Sequence, residues 1–186
     1  MRQGTSKSKE NFEVRFFLTP ARADKLLALW RKERRRFKAY SFVDHYFTKG
    51  RTQAKIRKWN SVHKPRVEII FFEREHGLKT EESRPATNFE TAMKRLRGQG
   101  FSQDLTIYKK KAWLIRKKGM PTYAIEYVPG LGWTGEIEVP EQNKKGIQNH
   151  TAYLKRLGAS GFTKKSMLQI MKDKQRMRLR EKAVVV

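Results

Sequence analysis

Charge alternates with apolar residues along several short segments of this chain, and that pattern constrains the fold more than any other feature. In Phe12-Glu13-Val14-Arg15-Phe16, two charged side chains share one face and three apolar ones share the other. Period-two alternation of this kind predicts a β-strand. Lys55 and Arg57 share a face with Trp59, Lys109 and Lys111 with Ile107 and Trp113, and Glu136 opposes Ile137 together with Glu138. In one such strand the charged face would simply be wet. Here the helical segments have apolar stripes of their own and cover the apolar side of the sheet. The charged faces are then left to meet one another, as they do inside a polar barrel.

The chain order supports that arrangement. Thr19-Pro20 is a good helix start, and Ala23, Leu26, Leu27 and Trp30 follow at helical spacing. Strands are predicted over 39–49, 52–62 and 66–75, and a loop over 76–88. A short helix presents Phe89, Ala92, Met93 and Leu96, and Gly98 and Gly100 end it. Strand patterns return at 103–117, 121–128 and 133–139, with a turn at Pro129-Gly130. Helices follow over about 143–157 and 163–182. The stretches 94–101 and 155–162 echo one another as helix, glycine stop and aromatic, a pattern that helix termination alone can produce.

The residue inventory excludes several chemistries. Without cysteine there is no disulfide, no Cys–zinc site and no thiol catalysis. No P-loop is present, and no His-Glu-x-x-His. No apolar run is long enough for a membrane helix, and the polar start of the chain lacks a signal core, so a cytoplasmic location and no membrane partner are expected. Lys and Arg number 43 against 18 Asp and Glu, a net charge of +25. Such self-repulsion points to an anionic partner.

The ordered set of segments resembles the CYTH superfamily, the triphosphate tunnel metalloenzymes. Val128-Pro129-Gly130-Leu131-Gly132-Trp133-Thr134-Gly135-Glu136-Ile137-Glu138 is similar to that family's late motif of turn, Leu-Gly, aromatic and Glu-x-Glu. Val43-Asp44-His45-Tyr46-Phe47 resembles its Asp-x-Tyr-Phe strand, and Ala54-Lys55-Ile56-Arg57 its Arg-x-Arg strand. Ile107-Tyr108-Lys109-Lys110-Lys111 resembles its Lys-x-Arg strand. The likeness runs over about residues 11–171. It departs at the opening Glu-x-Glu-x-Lys, where this chain has Asn11, Glu13 and Arg15, and at a mid-chain acidic element, matched only loosely by Glu81, Glu82 and Arg84.

The resemblance implies an α+β fold, an antiparallel β-barrel tunnel with surrounding helices. It covers a tunnel domain over 11–171, which the residues flank with a basic disordered lead over 1–10 and a basic C-terminal tail over 172–186. It implies a phosphate grip by Arg15, Lys55, Arg57, Lys109 and Lys111, and Mg²⁺ or Mn²⁺ held by Glu13, Glu136 and Glu138. Glu136, Glu138 and Glu126 are the catalytic candidates. His45 reads as a packing residue, and Asp44 and Tyr46 as barrel residues. The expected activity is metal-dependent hydrolysis of ATP, tripolyphosphate or a 5′-triphosphate RNA. Water attack is preferred because it needs no base-binding subsite. The same residues would serve a class IV adenylate cyclase, and Asn11 leaves room for a non-catalytic polyphosphate or nucleic-acid binder. The tail, with Lys172, Lys174, Arg176, Arg178, Arg180 and Lys182, is the expected contact for non-specific RNA binding.

Overall fold

The computed structural model describes residues 7–60, 66–75, 78–118, 120–140 and 145–184; the side chains of 7–10, 74–75 and 178–184 lie outside the described set. Arg178, Arg180 and Lys182 of the expected tail contact are therefore among the undescribed side chains. The described residues form nine strands and four helices. In chain order these are β1 (Lys7–Leu18), α1 (Pro20–Lys32), β2 (Arg36–Lys49), β3 (Thr52–Trp59), β4 (Arg66–Glu75), β5 (Leu78–Ala86), α2 (Phe89–Gly98), β6 (Ser102–Arg116), β7 (Thr122–Val128), β8 (Gly132–Pro140), α3 (Ile147–Arg156), β9 (Ser160–Thr163) and α4 (Met167–Val184).

Strands β5-β4-β3-β2-β6-β7-β8-β1 are antiparallel neighbours, and β1 returns to pair with β5. The eight strands thus close into a barrel, the α+β architecture that the resemblance implies and that the alternating charges suit. One strand does double duty at the seam. The first part of β1 lies on β5 (Lys7 opposite Ser83), and its second part lies on β8 (Glu13 opposite Glu138, Arg15 opposite Glu136). The short β9 adds to β1 beyond the point where β5 leaves it.

The apolar faces point outward, under the helices. Phe12, Val14 and Phe16 of β1 pack with Ile125, Ile137 and Val139 against Leu26, Leu27 and Trp30 of α1 and Ile147 and Leu154 of α3. α1 starts as predicted, with Pro20 in the first turn and Thr19 Oγ1 accepting from the Arg22 amide at 3.3 Å. On the opposite side, Ala92 and Leu96 of α2 cover Phe47, Ile56 and Ile69. Burying each such large side chain is worth roughly 1.5–3 kcal/mol. A third cluster lies at one end, where Met167 and Leu168 of α4 meet Tyr46, Phe72, Ile107 and Val128.

Several expectations require correction. The segment read as a loop, 76–88, contains β5, and β9 was likewise not foreseen. β1 begins at Lys7, inside the expected lead, and α4 runs without a break through the expected boundary at 171/172. No described helix is long and apolar enough to cross a membrane.

Candidate functional site

The barrel interior holds a cavity of ≈ 200 Å³. Every strand from β1 to β8 lends it at least one side chain, except β4, whose Phe72 packs with Tyr46 instead. Alternation along each strand delivers them. Inward positions on β1 are Asn11, Glu13 and Arg15; on β8 they are Glu136 and Glu138; on β3 they are Lys55, Arg57 and Trp59.

Acidic and basic groups interlock around this space. Arg15 Nη2 lies 2.5 Å from Glu13 Oε1 and 2.7 Å from Glu136 Oε2. Lys79 Nζ lies 3.2 Å from Glu13 Oε2 and 2.8 Å from Glu81 Oε2. Asn11 Nδ2 donates to Glu138 Oε1 at 2.6 Å. Across the barrel, Arg57 makes a two-pronged contact with the fully buried Asp44, at 2.7 and 2.8 Å, and Lys55 Nζ lies 3.8 Å from the same carboxylate. Glu126 accepts from Lys109 Nζ and from the Tyr40 hydroxyl, at 2.7 and 2.8 Å.

These neighbours set the proton affinities. Burial opposes the charge on Arg15 and Arg57, but Glu13 and Glu136 around the first and Asp44 beside the second outweigh it, so both stay cationic. Burial favours neutral Asp44, yet Arg57 and Lys55 hold its carboxyl well below the usual range. Glu126 is likewise held low by Lys109 and Arg15 against the effect of burial. Lys55 goes the other way: burial and the adjacent Arg57 bring it down to about 8. Glu136 is pushed up to about 7 by burial and by the nearby Glu13, although Arg15 opposes the shift.

Eight of the nine site residues read from the sequence surround this one cavity: Glu13, Arg15, Lys55, Arg57, Lys109, Glu126, Glu136 and Glu138. Lys111 does not. Tyr40 lies opposite Ala112 and Phe42 opposite Lys109, so β6 passes three residues where β2 passes two. The extra residue is a β-bulge, and beyond it the inward parity is reversed. Ala112 and Leu114 then face inward, and Lys111 is exposed on the outer surface. Lys79 on β5 and Lys38 on β2 line the cavity without having been foreseen, and so does Glu81, which the sequence offered only as a loose match to an acidic element. The spacing of Lys79 and Glu81 was available in the sequence, but no apolar face accompanied it. Asp44 does more than build the barrel, because it fixes Arg57 and neighbours Lys55. His45 packs on the Phe89 ring at 4.5 Å, as expected.

Two kinds of ligand group suit this lining. Arg15 Nε and Nη1 are buried and have no hydrogen-bond partner among the described residues. Unmet guanidinium donors fit phosphoryl oxygens. The acids Glu13, Glu136 and Glu138 offer only oxygen, the donor type of hard divalent cations. Among the described residues, however, no three carboxylate or imidazole groups converge into a ready-made metal centre. Tyr40, Phe42 and Trp59 gather beside the cavity, with Phe42 5.3 Å from Tyr40 and 5.1 Å from Trp59 between ring centroids.

No protein-family model and no curated protein sequence matches the chain. Solved structures do resemble it. A conserved hypothetical protein from Pyrococcus furiosus is 24% identical with a TM-score of 0.69, over 86% of this chain and 98% of that one. A candidate adenylate cyclase from Vibrio parahaemolyticus is 10% identical with a TM-score of 0.65, over 89% and 99%. A candidate adenylyl cyclase from Hippeastrum, described as having a dominant triphosphatase activity, is 12% identical with a TM-score of 0.60, over 89% and 95%. At these identities the likeness is one of fold.

Proposed function

We propose that this chain is a triphosphate-processing enzyme of the tunnel type and that it hydrolyses its substrate. One observation carries the reading: five buried or half-buried cations, Arg15, Lys55, Arg57, Lys79 and Lys109, share a single cavity with the acids, and Arg15 keeps two donors unmet. The fold shared with candidate adenylate cyclases, one of them described as a triphosphatase, supports the same reading.

In this reading the cations bind the phosphate chain and hold it in line for attack. Asp44 and Glu126 orient Arg57 and Lys109 and are positioning residues. Glu136, with its proton affinity near neutrality, takes the proton from the attacking water, the role for which a group of that strength is suited. Glu13 and Glu138, without the Glu136 that the sequence reading joined to them, would hold Mg²⁺ or Mn²⁺, which would neutralise charge developing on the phosphoryl oxygens while Glu136 serves as the base. The aromatic group of Tyr40, Phe42 and Trp59 favours a substrate that carries an aromatic base over inorganic tripolyphosphate. It also favours, as a second reading, internal attack by a ribose hydroxyl to give cyclic AMP.

The test is phosphate release from ATP, tripolyphosphate and a 5′-triphosphate RNA, with and without Mg²⁺ or Mn²⁺ and EDTA. Metal-dependent release, fastest on a base-bearing substrate, is expected. Glu136→Gln should lower the rate by about 10²–10⁴-fold while leaving triphosphate binding nearly intact. Release that ignores EDTA, or that is absent on every triphosphate, overturns the reading; cyclic AMP as the main product replaces hydrolysis with cyclisation.

A further inference from the structure

On the outer face of β6–β8, α1 and α3 cover Ile115, Tyr123, Ile125 and Ile137, and Trp113 and Trp133 pack half-buried against that cluster, but the face is exposed beside them at Tyr108, Lys110, Lys111 and Tyr127. There the outward residues are aromatic and basic. Lys111, Tyr127 and Trp133 lie side by side on three adjacent strands. Trp113, two residues along from Lys111, stacks on Trp133 with centroids 5.9 Å apart and ring planes 14° apart, and Tyr127 meets Trp133 edge-on at 5.5 Å. Tyr108, further along β6, is 52% exposed and Tyr127 is 36% exposed. Through Val43, Tyr108 is in register with Lys58 on β3.

A contiguous apolar patch rimmed by charged residues marks an interaction site. The charges around these rings say with what. Lys58, Lys110 and Lys111 are exposed and have no ion-pair partner among the described residues. They belong to a chain with a net charge of +25. A second copy of this strongly basic chain would leave these lysines desolvated and unmatched. A single strand of nucleic acid matches both features: its bases stack on aromatic faces, and its phosphates take the lysines. Duplex offers the phosphates but not the unstacked bases. The bulge that removes Lys111 from the cavity is what adds it to this surface.

We infer that the outer face of β6–β8, centred on Trp113, Tyr127 and Trp133 with Lys110 and Lys111 beside them, is a binding platform for single-stranded nucleic acid. This platform is separate from the cavity and does not depend on how the cavity is used. It also relocates the nucleic-acid contact from the C-terminal tail, where the sequence alone put it.

The experiment uses the full chain and a fluorescein-labelled single-stranded oligonucleotide of about 16 nucleotides, as RNA and as DNA, with a duplex as control. Tryptophan quenching and anisotropy should report binding to the single strands in preference to the duplex. Tyr108→Ala and Tyr127→Ala, both at exposed positions, should each weaken single-strand binding about fivefold or more. Changing Lys110 and Lys111 together to Gln should flatten the salt dependence by about 0.7 per lysine on the log–log plot. Unchanged melting temperatures show that the variants are folded, so a loss of binding stands whether or not the cavity takes a triphosphate. The inference is overturned if oligonucleotides do not bind. It is equally overturned if the tyrosine variants bind as tightly as the parent, or if Lys174→Gln with Arg176→Gln accounts for the whole loss. A dimer that buries Tyr127 without any oligonucleotide affinity also overturns it.

Discussion

Glu136 and Lys55 stand on different strands of one cavity, and both titrate near neutrality for related reasons. Burial penalises the charged form of each. Glu136 also faces Glu13, and its carboxyl rises to about 7; Lys55 also faces Arg57, and its ammonium falls to about 8. If Glu136 is the base, activity rises with pH as it loses its proton, through about 7. If Lys55 grips phosphate, activity falls again as it loses its proton, through about 8. The kcat/KM profile, which reports the free enzyme, should therefore be a narrow bell with its optimum between the two. Because the groups share one network, the limbs belong to the network rather than to single residues. Lys55→Arg keeps its charge at all accessible pH and should move the alkaline limb upward. Glu136→Gln should remove the acidic limb along with most of the rate. An alkaline limb that stays in place with Lys55→Arg assigns it elsewhere, for instance to a metal-bound water.

At the scale of strands and helices, what was legible followed from periodicity. Phe12 to Phe16 and Gly135 to Val139 could be assigned to faces because charge and apolar groups alternate there. β5 could not, since Leu78-Lys79-Thr80-Glu81-Glu82-Ser83-Arg84-Pro85 has no apolar face. One side carries Lys79 and Glu81 into the cavity, and on the other Arg84 pairs with Glu82. Only pairing to β4 and β1 makes it a strand, and pairing is not written in the local sequence. The bulge at Lys110–Lys111 is invisible for the same reason: it is a property of two strands compared. Gly135 shows how tight the register is where it was legible. Phe16 lies opposite it on β1, and a Cβ at 135 would sit 2.1 Å from the Phe16 ring, which itself stacks on Phe162. Glycine in a strand marks this kind of close approach. Gly135→Ala should cost about 1–3 kcal/mol in denaturant unfolding, as overpacking does. Phe16→Leu should absorb much of that cost, because the clash is with the ring. Additive losses in the double variant would place the strain in the backbone instead.

Over the whole molecule, the distribution of charge matters more than its sum. Within the barrel, acids and bases nearly balance: Arg15, Lys55, Arg57, Lys79 and Lys109 against Glu13, Asp44, Glu81, Glu126, Glu136 and Glu138, with Lys38 of the cavity lining exposed. The net charge of +25 is therefore carried outside the cavity. Two consequences differ in their response to salt. The interior pairs are shielded from solvent, and added ions screen them little. The outer lysines and arginines repel one another through water, and added ions weaken that repulsion. Chloride at moderate concentration should thus stabilise the fold rather than loosen it. If screening relieves about 1 kcal/mol, the melting temperature of a chain of this size should rise by about 2–4 °C. Scanning calorimetry in sodium chloride from about 20 to 300 mM checks this, with phosphate and sulfate left out because they would bind the cavity cations. The same series on the Lys110→Gln, Lys111→Gln variant should start from a higher melting temperature and climb less, since part of the repulsion is already gone. A melting temperature that falls with salt would mean that exposed ion pairs such as Lys165–Asp173 contribute more to stability than the excess charge takes away.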